Sequence, residues 1–364
     1  MTSISRLLGI MVAGTAMIAG PTTGWTLTIT PYFDSTIAGA SNQTAVETAI
    51  YDAISTIDGL YSNSATIGIV FSQANGSFLG QSSTTDAFVS YSSYTSVLAG
   101  VSAAQPSNGV LASAVANLAS GNNANGAKPV ALTTADARAA LGQTAYTGCF
   151  NTSGTYIPSC GQAAYGVVTL TDNPGYSLNY GTTAVAGAYS MVDAALHEID
   201  EILGGGGQGS TLNAVASGHS PQNSMVGPLD LYRYSAAGTP SFSTSSVNSS
   251  GNPLTSYLSV DGGTTSIIGF NQNGSNDYAD FSTNTNVQSA ASNPGIVAPY
   301  NNSSPEVAMM ASLGYNATFT GVYSAASGTV STPEPASLAV LLAGLGGLRA
   351  VRRRPVQEPA LRQA

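Results

Sequence analysis

The sequence predicts an α+β domain with a mixed β-sheet, and three observations predict it. The N-terminal part alternates strand-like and helix-like segments, a further strand-like run leads into a helix with an apolar stripe near residue 200, and beyond residue 205 short strands alternate with glycine-rich loops.

The elements follow in order. "TLTITPYF" (26–33) has β composition, and "TAVETAIYDAISTIDGLY" (44–61) sets Val46, Ile50, Ile54, Ile57 and Leu60 on one helical stripe. "ATIGIVFS" (65–72) returns to strand, completing a β-α-β opening. Helices are expected over 84–98, over 110–119 and over "TTADARAALG" (133–142), where Thr133 or Thr134 can cap and Gly142 can terminate. "YGVVTLTD" (165–172) reads as a strand. From about Thr183 an apolar stripe at Val185, Val192, Leu196, Ile199 and Leu203 predicts one helix up to Gly204. "SYLSVDGGTTSIIGFN" (256–271) is a hairpin turning at Asp261-Gly262-Gly263. "SPEVAMMASLGY" (304–315) is a short helix with Ser304 as cap, Pro305 in its first turn and Gly314 past its end. There is no internal repeat, so residues 25–316 read as one domain and 317–332 as a linker.

The two ends belong to neither. Residues 1–24 carry Arg6, the run "LLGIMVAGTAMIAG" and small residues before Trp25, the layout of a secretory signal peptide. Residues 333–354 join a Pro-Glu-Pro triplet, an apolar run over 336–348 and the arginines 349, 352, 353 and 354. The run falls short of the roughly 20 residues that cross a bilayer comfortably, and the bland reading is an ordinary C-terminal anchor. In order and position the three features resemble the PEP-CTERM sorting signal of Gram-negative bacteria, which an exosortase cuts near the triplet. That resemblance implies export by way of signal peptidase and exosortase, and transient anchoring in the inner membrane through 336–348 with 355–364 as a cytoplasmic tail. The destination would be the periplasm, outer surface or extracellular matrix.

Between residues 25 and 332 the only bases are Lys128, Arg138 and Arg233, whereas sixteen of the 18 acids lie there, a formal charge of −13. Nucleic acid is excluded as a partner on this balance. Cys149 and Cys160 are the only cysteines. In an exported chain they point to a disulfide that closes a short loop and contributes about 2 to 3 kcal/mol, and they offer no thiolate metal site.

The stretch "AALHEIDEILGGGGQG" (194–209) gathers acids on a helix just before the chain turns to glycine. Asp193, His197 and Glu201 fall at i, i+4 and i+8 on one flank. Helix C-termini are partially negative, so acids there work against the macrodipole; a bound cation would turn that repulsion into coordination. His197, Glu198 and Glu201 spell H-E-x-x-E. The zincin metallopeptidase motif H-E-x-x-H supplies two zinc ligands one turn apart, with its glutamate as general base toward water, and zinc also accepts carboxylate oxygen. The metzincin signature continues with a glycine where Gly204 stands. Its third ligand would fall at Gly207, which has no side chain to offer.

Third-ligand candidates are Asp230 in "VGPLDLYRYSAAG" and His219 in "ASGHSPQN". The bland alternatives are that Asp230 pairs with Arg233 or caps a turn and that His219 is solvated. Asp193 could orient the imidazole of His197. "NQNGSNDYADF" (271–281) collects oxygen donors around Asp277 and Asp280 and could hold Ca²⁺, though without EF-hand spacing it also reads as a polar turn. Met225, Met309 and Met310 are either a methionine floor below the metal or core filler.

Taken together, "HEIDEILGGGGQGSTLNA", "VGPLDLYRYSAAGTPSFSTS", "YLSVDGGTTSIIGFNQNGSNDYADF" and "PEVAMMASLGY" resemble a family of exported, PEP-CTERM-tailed bacterial proteins described as metalloproteases, over roughly residues 26–316. The resemblance implies a zincin-like domain whose Zn²⁺ role rests on His197, Glu198 and Glu201, hydrolysing peptide bonds by metal-activated water with Glu198 as general base. Two other readings stand beside it: a non-catalytic surface or matrix protein with a structural cation, and a polysaccharide-binding or hydrolysing one.

Overall fold

Strand β1 (Thr28–Phe33), helix α1 (Gln43–Leu60) and strand β2 (Thr66–Ala74) form the expected β-α-β unit, with β1 and β2 parallel from Thr28 opposite Thr66 to Phe33 opposite Phe71. The stripe on α1 is buried at Val46, Ile50, Ile54 and Ile57. In this computed structural model the described residues are 26–118, 128–143, 148–158, 164–218, 224–274 and 276–321, all within one compact unit.

The chain continues through β3 (Gly80–Thr84), β4 (Asp86–Val89), α2 (Tyr91–Ala104), α3 (Gly109–Asn117), β5 (Val130–Thr133) and α4 (Thr134–Ala139). The helix expected over 84–98 starts later than predicted. Residues 86–89 pair antiparallel with β5, and the Ser90 hydroxyl caps α2 by accepting from the Ser93 amide. Asn108 caps α3 and Thr133 caps α4 in the same way.

A short hairpin, β6 (Cys149–Phe150) and β7 (Tyr156–Ile157), precedes β8 (Gly166–Thr171), β9 (Leu178–Asn179), β10 (Tyr189–Ser190) and helix α5 (Met191–Ile202). Strand β8 inserts between β2, to which it is parallel, and β3, to which it is antiparallel; the sheet order β1-β2-β8-β3 is therefore mixed, with β3 on one edge. Helix α5 is shorter than predicted. Residues 178–179 and 189–190 form a parallel pair, Gly187 turns the chain at φ +76°, and the Ser190 hydroxyl accepts from the Asp193 amide at 3.1 Å to start the helix. Val185, assigned to its stripe, is half exposed.

The remainder comprises α6 (Leu212–Ala216), β11 (Arg233–Ala236), β12 (Thr239–Pro240), β13 (Ser256–Leu258), β14 (Ile268–Phe270) and α7 (Pro305–Leu313). Strands β13 and β14 are the predicted hairpin, in an antiparallel sheet of order β12-β11-β13-β14. Helix α7 starts at Pro305 and ends at Gly314, whose φ of +111° suits a residue without Cβ. The Ser304 hydroxyl does not cap it, donating instead to the Pro299 carbonyl. One continuous apolar core draws on α1, α2, α3, α5, α7 and the mixed sheet.

The domain runs past its expected boundary at 316: Ala317 is buried and the Thr320 amide donates to Asn302. The segments expected to be a signal peptide, the rest of the linker, a sorting signal and a cytoplasmic tail, together with Cys160 and His219, lie outside the described residues. Among those described, no helix is long and apolar enough to cross a membrane, and Cys149 is disulfide-bonded.

Candidate metal centre

Helix α5 is amphipathic, and its acids take different surroundings as the helix turns. Asp193 sits in the first turn, where the helix dipole favours it, and its Oδ2 accepts the Ala298 amide at 2.7 Å. It therefore does not orient His197, a correction to the sequence reading. Asp200 is fully buried and takes the Tyr300 hydroxyl at 2.8 Å on each oxygen, with the Tyr61 hydroxyl behind it. His197, Glu198 and Glu201 are left for the remaining face.

Past Ile202 the helix stops at Gly204, with φ +97°, and residues 206–209 wind into one tight turn. That turn folds back on the helix, so that the Gly207 amide donates to Glu201 Oε1 at 3.0 Å while Ser82 of β3 donates to Oε2 at 2.6 Å. A Cβ on Gly207 would lie 2.2 Å from Asp277 Oδ2, and one on Gly206 would lie 2.0 Å from the Gln288 amide nitrogen. Glycine here is a condition of close approach. Gly207, with no side chain to offer, lends its backbone N–H to Glu201.

The loop between β14 and α7 closes the site. Arg233, buried, donates to the carbonyls of Asn271 and Tyr278 and to the Gln272 side chain, and so pins the loop that carries Asp277 and Asp280. His197 Nδ1 lies 3.0 Å from the Val287 carbonyl. A carbonyl only accepts, so Nδ1 carries a proton. His197 Nε2 then faces Glu201 Oε1 and Asp280 Oδ2, each at 3.8 Å. One ligand atom from each of His197, Glu201 and Asp280 fits within 4.8 Å of the others, so this group could hold a metal ion.

The electrostatics fit a cation. Burial and the charge of Glu201 push Glu198 well above the usual carboxylate range, and burial raises Asp280 to about 7 and Asp277 to about 6. Burial pulls His197 down, yet Asp280, Glu198 and Glu201 together carry it up to about 10. Among the described residues no Lys or Arg forms an ion pair with these carboxylates. Glu198 is 5% exposed, its Oε1 lies where a Cβ on Gly80 would be 2.5 Å away, and its Oε2 has no hydrogen-bond partner. The donor set of one imidazole and two carboxylates, with a further buried and orphaned carboxylate oxygen beside it, suits a divalent ion.

Asp230 does not join the group. It is buried elsewhere and takes Ser210 Oγ on Oδ1 at 2.5 Å and, on Oδ2, the amides of Thr211 at 3.0 Å and Gly227 at 2.8 Å and Thr211 Oγ1 at 3.2 Å. Nor does Arg233 form an ion pair with it. The residues around Asp277 and Asp280, read from the sequence as either a Ca²⁺ loop or a polar turn, converge on the His197 site. Sequence reasoning missed Ser82, Gly80 and Gln288 altogether. The available signal for Asp280 was that, between residues 203 and 305, Asp277 and Asp280 are the only acids spaced within one turn of each other. Met309 and Met310 are fully buried in α7 and lie against Gly205, where they fill the core beneath the turn. Among known proteins, no family model, no curated protein and no solved structure matches this chain.

Proposed function

We propose that this domain is a zinc-dependent metallopeptidase of zincin-like type, acting after export. The observation that carries the reading is the convergence of His197, Glu201 and Asp280 with Glu198 one residue from the imidazole, buried, and with one oxygen free of partners. His197 Nε2, Glu201 and Asp280 would hold the ion. When bound, a divalent cation supplies Lewis-acid polarisation of a carbonyl oxygen and acidifies water.

The residues of this chain do the rest. The Val287 carbonyl holds His197 in the tautomer that presents Nε2, and Ser82 and Gly207 fix the Glu201 carboxylate. Glu198 would take a proton from the attacking water and return it to the leaving amine, its buried Oε2 having no hydrogen-bond partner that competes for that proton. Strand β3 is an edge strand alongside α5, so an extended peptide can add to its free edge by main-chain hydrogen bonds. That edge favours peptide over polysaccharide.

A second reading, a structural cation without catalysis, draws on the burial of the site and on the sparse regular structure of the loop the ion would tie to α5. Glu198→Gln separates the two. The enzyme reading expects at least a hundredfold loss of peptide hydrolysis with zinc content unchanged, read by turnover and metal analysis of the purified protein. The structural reading expects no hydrolysis by wild type and unfolding when zinc is removed.

A further inference from the structure

Gln288 is fully buried, and its main chain is fixed on both sides: its amide donates to Glu306 Oε1 at 3.0 Å, and its carbonyl accepts the Phe281 amide at 2.7 Å. Its carboxamide nitrogen lies 3.1 Å from His197 Nε2 and donates to Asp280 Oδ1 at 3.0 Å. Its Oε1 has no partner. Two consecutive residues thus address the two nitrogens of one imidazole, Val287 with its carbonyl at Nδ1 and Gln288 with its side chain at Nε2. Gly206 leaves room for the amide where any Cβ would overlap it.

We infer that Gln288 is a fourth ligand of the cation, binding through Oε1 after its carboxamide turns over. The inference rests on the metal site proposed for His197, Glu201 and Asp280. A positive ion among those three residues repels the NH₂ end of the amide and attracts the carbonyl end. The terminal torsion of a glutamine is soft and roughly two-fold, so a half-turn exchanges oxygen and nitrogen without displacing the carbons. One end of the amide lacks a partner in either orientation, and the charge at the other end decides between them. The completed set, one imidazole nitrogen and three oxygens, belongs to the class that accepts Mn²⁺ as well as Zn²⁺.

The alternative role for Gln288 is that of an N–H donor that merely steadies Asp280. Two substitutions in the full-length protein distinguish ligation from that role. Zn²⁺ is titrated against a competing chelator into wild type, Gln288→Leu and Gln288→Glu, with circular dichroism to confirm folding. Ligation expects Gln288→Leu to bind at least about tenfold more weakly, and Gln288→Glu, which keeps an oxygen, to bind as tightly as wild type or tighter. If the glutamate variant is as weak as the leucine variant, or the leucine variant is unaffected, the inference is overturned while the three-residue site stands. No Zn²⁺ binding by wild type removes both. A crystal structure of the zinc-loaded wild type decides independently of folding effects: an amide end about 2.0 to 2.2 Å from the ion can only be oxygen, whereas a gap beyond 3 Å overturns ligation.

Discussion

Asp136 caps nothing with its own side chain, is fully buried in α4, and has neither carboxylate oxygen hydrogen-bonded. Burial alone lifts it well above the usual carboxylate range. Its folded pKa is raised over the unfolded value of 3.8, so its contribution is whole below about pH 4 and is lost as pH rises toward the folded value. Asn has the shape of the protonated acid without this liability. Asp136→Asn is therefore expected to leave the melting temperature at pH 4 nearly unchanged and to raise it at pH 7.5. Melts at both pH values check it, and a variant less stable at pH 7.5 would mean that the ionised carboxylate is favourably solvated. The acids of α5 show the other outcome: Asp200 and Asp193 found donors on Tyr300 and Ala298, whereas Glu198 did not.

At the scale of elements, the site is a meeting of α5, the edge strand β3, the 206–209 turn and the loop before α7. The turn is the part least tolerant of bulk. Gly207→Ala places a methyl 2.2 Å from Asp277 and 2.7 Å from Glu201, so the turn and the loop must part. The expected result is a loss of Zn²⁺ affinity of tenfold or more, with a melting temperature lowered by only a few degrees because the apolar core is elsewhere; isothermal titration and thermal melts read both. The helix half of this site was legible in the sequence, because i, i+4 spacing fixes which side chains share a flank whatever the tertiary structure. The loop half was not. Asp280 and Gln288 lie more than 80 residues from His197 on a segment without periodicity, and only packing brings them back. Asp230 misled because an isolated acid near a helix motif cannot be told from one that fastens a turn, as it does with Ser210, Thr211 and Gly227. The start of α5 was misplaced for a related reason: small apolar residues from 183 to 188 continue the stripe on paper, but Gly187 and the β9–β10 pair break it.

The whole domain carries far more acid than base, and burial raises much of that acid. Asp58 and Asp193, neither of them in the His197–Glu201–Asp280 group, are raised to about 6 mainly by desolvation. The native state therefore binds more protons than the unfolded chain across the window from 3.8 to about 6, and stability falls as pH rises through it. Self-repulsion within residues 25–332, whose formal charge is −13, acts in the same direction. Protein treated with EDTA is expected to melt several degrees higher at pH 5 than at pH 7.5, by differential scanning calorimetry. The opposite order would show that the buried carboxylates are stabilised as anions.

Arg233 bears on how this protein can vary. Two of its three acceptors are main-chain oxygens, those of Asn271 and Tyr278, and the guanidinium stacks 4.9 Å from the Phe270 ring centre. Main-chain oxygens are common to every amino acid, so the clamp registers the length of the span from 271 to 278 and not its composition. Exchange of side chains at the tip of the loop leaves Asp280 where it is, while insertion or deletion of a single residue shifts it away from His197. Related chains can thus exchange letters between Gln272 and Asp277, the two side chains of this span that the clamp and the site use, while keeping the same count.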